Sequence, residues 1–261
     1  MAWYQYFLLI ALIITLRYFI IAGILFLIYY KWLRKRISYR KIQLRFPKNA
    51  DYRREIVYSI ITVVIFSLVT VLFLFTPLRN STQLYSQDAK YGIVWYIASF
   101  PLMFIVHDAY FYWTHRLMHH PAIFRIFHLM HHRSTNPSPW AALAFHPLEA
   151  VVEAGIFPVL LMVMPLTTGH FTVFFIIMLV YNVYGHLGWE IYPRSFSRHW
   201  LGRWINTSVN HNQHHQFFKG NYGLYFLWWD RWMGTIRDDY ETGFEAVHER
   251  GPHQAAEQRS A

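Results

Sequence analysis

The sequence predicts an all-α fold: a polytopic membrane helical bundle of about four or five spanning helices, with a cytoplasmic helical cap carrying clustered histidines. Three observations predict it. The 261 residues are 55% hydrophobic and only 15% charged, too few charges to coat a soluble domain of this length. Several apolar runs approach the roughly 20 residues that a spanning helix needs. Ten of the 24 lysines and arginines lie between Lys31 and Arg54, directly after the first such run, as expected of a cytoplasmic flank. That clustering explains the net charge of +10 and argues against nucleic acid as a partner.

Spans are expected at about residues 3–30, 56–76, 91–113, 150–165 and 171–187. The first is interrupted only by Gln5 and Arg17 and lacks the basic start and cleavage site of a signal peptide, so an uncleaved helix is expected. Pro77 closes the second, and the third is expected to continue as a helix through the first histidines. The last two form a helical hairpin whose connection, Leu166 to His170, carries no lysine or arginine. With residues 31–55 inside, the alternation of spans places every histidine cluster on the cytoplasmic side and leaves only Arg79 and Lys90 in the exterior loops. A single membrane-embedded domain over residues 1–250 is expected, with the cap built from 107–149 and 186–240. The polar tail, 251–261, is expected to be disordered.

Cysteine is absent, which excludes disulfides and thiolate metal ligands, whereas 16 histidines outnumber 14 acidic residues. Eight of them form three clusters: His115 and His119; His128, His131 and His132; and His211, His214 and His215. On a helix, residues three and four apart share a face, so each cluster aims two or three imidazoles in one direction. Eight imidazoles are too many for one ion and suit two. Asp108 falls in the same helical arc as His115 and His119, and is expected to orient a ligand ring through its free N–H. Asn182 and His186 repeat the four-residue spacing at the cytoplasmic end of the hairpin, making His186 a ninth ligand and Asn182 a side-chain oxygen donor or supporting group. His107, His146 and the carboxylate of Glu149 are weaker candidates. His170, His199, His248 and His253 read as structural or solvated, and the tryptophans at 228, 229 and 232 as an interfacial belt.

No HExxH zinc-protease motif, Gly-rich phosphate loop or GxSxG elbow is present. An all-imidazole site is compatible with iron, copper, nickel or zinc. Neutral ligands leave the metals electrophilic, which favours oxygen chemistry and therefore iron.

The stretch from His107 to His119, HDAYFYWTHRLMH, closely resembles the first histidine box of the fatty acid hydroxylase/sterol desaturase superfamily. FHLMHH (127–132) is similar to its second box, and FHPLE (145–149) to the segment that follows. NHNQHH (210–215), with Asn221-Tyr-Gly and WDRWMGT (229–235), is similar to the third box and its tail. The resemblance covers residues 90–237 in order. It implies a non-haem di-iron membrane oxidase that hydroxylates or desaturates a lipid with dioxygen. Carried over, it implies two iron ions, with zinc as an alternative occupant after purification. The implied ligands are His115, His119, His128, His131, His132, His211, His214 and His215, joined by His186. No haem-binding or ferredoxin-like segment is seen, so a separate electron donor of haem, ferredoxin or rubredoxin type is expected, and a basic cytoplasmic face suits an acidic one. The sequence departs from the pattern at Asn182, where some related hydroxylases carry a histidine; hydroxylation and desaturation both stay open.

Two other classes compete. A metal transporter places its ligands near the bilayer midplane on broken helices, whereas these clusters lie beyond the spans, beside Arg116, Arg125 and Arg133. A metal-dependent lipid hydrolase would need neither oxygen nor reductant. Sterols, fatty acyl chains, sphingoid bases, aminolipids and carotenoids all remain open as substrates.

Overall fold

The computed structural model describes residues 2–86 and 90–251; the expected disordered tail lies, from residue 252 on, outside the described residues. Among the described residues twelve α-helices follow in order. Helix α1 (Trp3–Phe26) runs into a π-helical turn (Leu27–Trp32), and α2 (Arg34–Ile37) is a single turn in the basic segment. Next come α3 (Asn49–Leu74) and α4 (Gly92–Met118), then the short α5 (Pro121–Phe127) and α6 (Leu129–His132). Helices α7 (Pro147–Ala154) and α8 (Ile156–Val163) precede α9 (Thr168–Gly185), and α10 (Ser208–Phe217), α11 (Trp228–Trp232) and α12 (Tyr240–Glu249) complete the cap. Among the described residues there is no strand, only isolated bridges pairing Lys41 with Trp189 and Ile205 with Phe226.

Among the described residues four helices are long and apolar enough to cross a membrane: Trp3–Trp32, Asn49–Leu74, Gly92–Met118 and Thr168–Gly185. Their outer faces confirm the environment. On α1, Leu8, Leu12, Leu16, Ile20 and Ile24 recur every fourth residue and are each more than half exposed, a stripe that only hydrocarbon satisfies.

The span expected at 150–165 is instead two pieces, α7 and α8, broken at Gly155. Pro158 explains the break. Its ring has no N–H and crowds the carbonyl four residues back, on Ala154, so the helical bond to that carbonyl is lost and the helix breaks beside it. Gly155 N–H bonds Val152 at 2.9 Å in a tighter turn. Together the pieces still rise from the cap to the opposite end of the bundle. There Gln83 N–H bonds Leu161 O (2.7 Å), Tyr85 N–H bonds Leu166 O (3.0 Å) and the Trp95 indole bonds Pro165 O (2.7 Å).

Met103, Phe157, Leu160, Leu161 and Phe174 form the core between α4, α8 and α9. Tyr18, Ala22, Leu143, Phe145 and Val183 pack α1 and α9 onto the segment before α7. The cap is fixed to the end of α1 through the Tyr30 hydroxyl, which reaches the Pro137 and Leu187 carbonyls at 3.3 and 3.1 Å.

Candidate metal centre

Four elements deliver the histidines to one end of the bundle. The first pair sits where α4 ends: His115 in its last turn and His119 as its C-cap. The helix stops at Met118, and Pro121 opens α5 as its first residue, where a missing N–H costs nothing. The chain therefore turns back, with His128 between α5 and α6, and His131 and His132 on α6. His186 caps the C-terminus of α9. Helix α10 carries His211, His214 and His215, after the Thr207 hydroxyl caps it by accepting from Asn210 N–H at 3.2 Å. All of Ser208 to His215 is buried, although almost none of it is apolar. Burying so polar a helix is costly unless its side chains have partners.

The imidazoles converge in two groups: His115, His119, His128, His132 and His214; and His131, His186, His211 and His215. Within each group the candidate ligand nitrogens all lie within 4.8 Å of one another. The nine residues the sequence points to are the nine brought together.

The ring tautomers show what these groups fit. Nδ1 of His186 lies 2.8 Å from the Asn182 carbonyl, that of His215 3.0 Å from Ser134 O, and that of His131 3.4 Å from Ala144 O. A carbonyl only accepts, so each Nδ1 carries the hydrogen and each Nε2 keeps a lone pair. Yet Nε2 of His186 lies 3.1 Å from Nε2 of both His211 and His215, and 3.4 Å from that of His131. Lone pairs turned towards each other repel; a cation among them converts the repulsion into coordination. The five-residue group repeats the logic. Nδ1 of His115 and His214 meet Tyr222 O and Gly220 O at 2.9 and 2.7 Å, and their Nε2 atoms are buried without a partner. His128 places Nδ1 2.6 Å from Glu149 Oε1 and likewise leaves Nε2 buried and unpartnered. Orphaned buried nitrogens aimed at common points fit metal ions.

Electrostatics agree. Burial pushes His128, His131, His132, His211, His214 and His215 well below the usual imidazole range, and His186 down to about 4. These rings are neutral at ordinary pH, the form that ligates. Burial also raises the Glu149 carboxyl well above its usual range.

Other candidates fall outside both groups. Asp108 does not orient an imidazole. Its Oδ1 accepts from the N–H groups of Tyr225 (2.8 Å) and Phe226 (3.2 Å), and its Oδ2 from the Trp228 indole (2.7 Å), so it fastens the start of α11 to α4. His107 is bound to the Tyr225 hydroxyl at 2.9 Å, two turns before His115. His146 caps α7, accepting from Leu148 N–H at 3.3 Å. Asn182 donates its amide to Ala142 O (2.8 Å) and supports the site through its backbone carbonyl under His186. His170 and His199 serve as local caps, and His248 bonds the Phe244 and Tyr192 carbonyls; His253 lies outside the described residues.

Sequence reasoning missed the scaffold of carbonyls. Phe218, Gly220 and Asn221 adopt left-handed backbone (φ 62°, 78° and 58°), which turns the Gly220 carbonyl onto His214. Asp230 accepts from Tyr222 N–H (2.9 Å), Gly223 N–H (2.8 Å) and the Thr235 hydroxyl (2.7 Å), and so holds the Tyr222 carbonyl against His115. The one available signal was an acidic residue inside the aromatic run Trp228–Trp232, and it names no partner.

An apolar cavity of about 400 Å³ opens beside this centre. Its walls include Asn182, one turn from His186, and Phe145, whose ring centroid is 5.2 Å from that of His131.

Fold and site together define an all-α membrane protein in which nine histidines, eight of them buried, gather in two groups that could hold metal ions. Residues 100–235 match the fatty acid hydroxylase family. A Delta(7)-sterol 5(6)-desaturase of Gibberella zeae is 35% identical over 74% of this chain and 58% of its own length. One from Aspergillus fumigatus is 32% identical over 85% and 72%, and the lathosterol oxidase of Homo sapiens is 29% identical over 74% and 64%. The chain thus spans between about three fifths and three quarters of these relatives. No solved structure gives a match. The chain belongs to the fatty acid hydroxylase family, which includes sterol desaturases.

Proposed function

We propose that this protein is a membrane oxidoreductase that hydroxylates or desaturates a C–H bond of a lipid, using dioxygen and electrons from a separate donor protein. The observation that carries the reading is the juxtaposition of a two-group imidazole site with an apolar cavity inside the bundle. A metal ion in transit gains nothing from an apolar cavity, whereas a lipid hydrolase on the same frame differs in needing neither dioxygen nor reductant. The names of the relatives, sterol desaturase and lathosterol oxidase, point the same way.

The two groups would each hold one iron, and the pair would supply the redox chemistry that attacks an unactivated C–H bond. The chain's own residues do the rest. Carbonyls of residues 134, 144, 182, 220 and 222 hold the rings by their Nδ1–H groups, so that Nε2 atoms face inward. Glu149 balances charge behind His128 and shares one hydrogen with it across 2.6 Å. Phe145, Phe111 and Leu143 in the cavity wall exclude water and position the lipid. The basic segment 31–54 adjoins the histidine end of the bundle, where Gln43 bonds Asn212 and Arg54 bonds Ser134; under the positive-inside rule this supports a centre on the cytoplasmic side, with a basic surface for an acidic donor.

The test is lipid analysis of host membranes that express the wild type or His131→Ala, with isotopically labelled dioxygen. An oxidised lipid that needs both oxygen and His131 is expected. Product formed under anaerobic conditions would instead assign a hydrolase.

A further inference from the structure

The cavity is apolar except at a few points, and the most unusual is Arg17. This residue lies in the middle of the Trp3–Trp32 span, about 20 Å along the helix from either end, too far for its stem to carry the charge to an interface. Among the described residues its guanidinium has no hydrogen bond and no ion pair; it stands only over the Phe175 ring, 5.8 Å from the centroid. An isolated charge at such depth is costly unless something neutralises it. Intramembrane arginines otherwise pair with an acid or face a functional cavity. Here the cavity is the available neighbour.

The position of Arg17 along the cavity gives the ligand a direction. The lining of α9 runs from Asn182, beside the metal centre, to Thr168, about 21 Å away along the helix axis. Phe175, under the guanidinium, is eleven residues from His186 and hence about 16 Å from it. The acidic residue in the cavity wall, Glu153, stands at the other end, one turn after Glu149. A carboxylate or phosphate would therefore gain an ion pair at Arg17 and nothing at Glu153. A hydroxyl would leave the guanidinium charge unbalanced.

We propose that the cavity takes an anionic, long-chain lipid with its charged group on Arg17, remote from the histidines, so that the oxidised carbon lies far from the charged end. This rests on the lipid-oxidase reading for its chemical consequence, but the binding it asserts does not. A neutral sterol, suggested by the names of the relatives, is the alternative that the test separates.

The experiment is equilibrium binding of palmitate, hexadecanol and lathosterol to the full chain in nanodiscs of neutral lipid, without turnover. Palmitate is expected to bind at least tenfold more tightly than hexadecanol or lathosterol. Arg17→Gln should erase that preference while leaving hexadecanol affinity within twofold, which also reports that the cavity is intact, and Arg17→Lys should keep part of it. Equal affinities for the three probes in the wild type, or a palmitate preference unchanged in Arg17→Gln, would overturn the proposal. Loss of oxygen-dependent turnover with the palmitate preference retained would sink the oxidase reading and leave this one standing.

Discussion

Glu149 is the side-chain carboxylate that touches a ring of the centre, and its effect can be isolated without changing shape. Glu149→Gln keeps the volume and the hydrogen-bonding reach to His128, 2.6 Å away, but removes the capacity for negative charge. Metal affinity should fall about 10- to 100-fold, as measured by competition with a chelator, with the thermal midpoint of the metal-free protein unchanged or higher. Unchanged affinity would remove Glu149 from the centre. At this scale the sequence is uneven. The nine ring-bearing positions are legible because helical periodicity alone puts residues three and four apart on one face. The partners of the rings are not legible, because they are backbone carbonyls. Asp108 shows the hazard: its arc on α4 matches that of His115 and His119, yet its partners are the N–H groups of Tyr225 and Phe226, 117 and 118 residues later.

Among the elements, α10 and the α7–α8 pair depart most from simple patterning. Helix α10 has no apolar stripe, yet Ser208 to His215 are all buried, with three of its rings gathered into the two imidazole groups. The α7–α8 break was written at Pro158, but an apolar run of the right length conceals it until the lost bond to Ala154 is counted. The segment 225–228 depends on Asp108, which satisfies three of its donors from α4. Asp108→Asn leaves at least one of these N–H groups facing an N–H and should cost about 1–3 kcal/mol. The expected result is a lower thermal midpoint with the metal content per folded chain retained. Metal loss without a thermal shift would mean that Asp108 acts on the centre and not on the docking of α11.

The whole molecule reads as a division of labour across depth. Four continuous helices and one broken one build an apolar bundle, their cap-side ends present the rings, and a cavity joins the two regions. Composition and apolar run length made the bundle legible, and the run of basic residues after α1 set its expected orientation. The partition of nine rings into groups of five and four was not legible, since it depends on how α6 sits between α4 and α10: His131 and His132 are adjacent in sequence but belong to different groups. Such a partition asserts that each group is a separate site. Anaerobic titration of the metal-free protein with ferrous iron, followed by removal of unbound ion and elemental analysis, tests this directly. Saturation at two irons per chain in the wild type, falling to one in His186→Ala, is the predicted result; saturation at one or none in the wild type would contradict it.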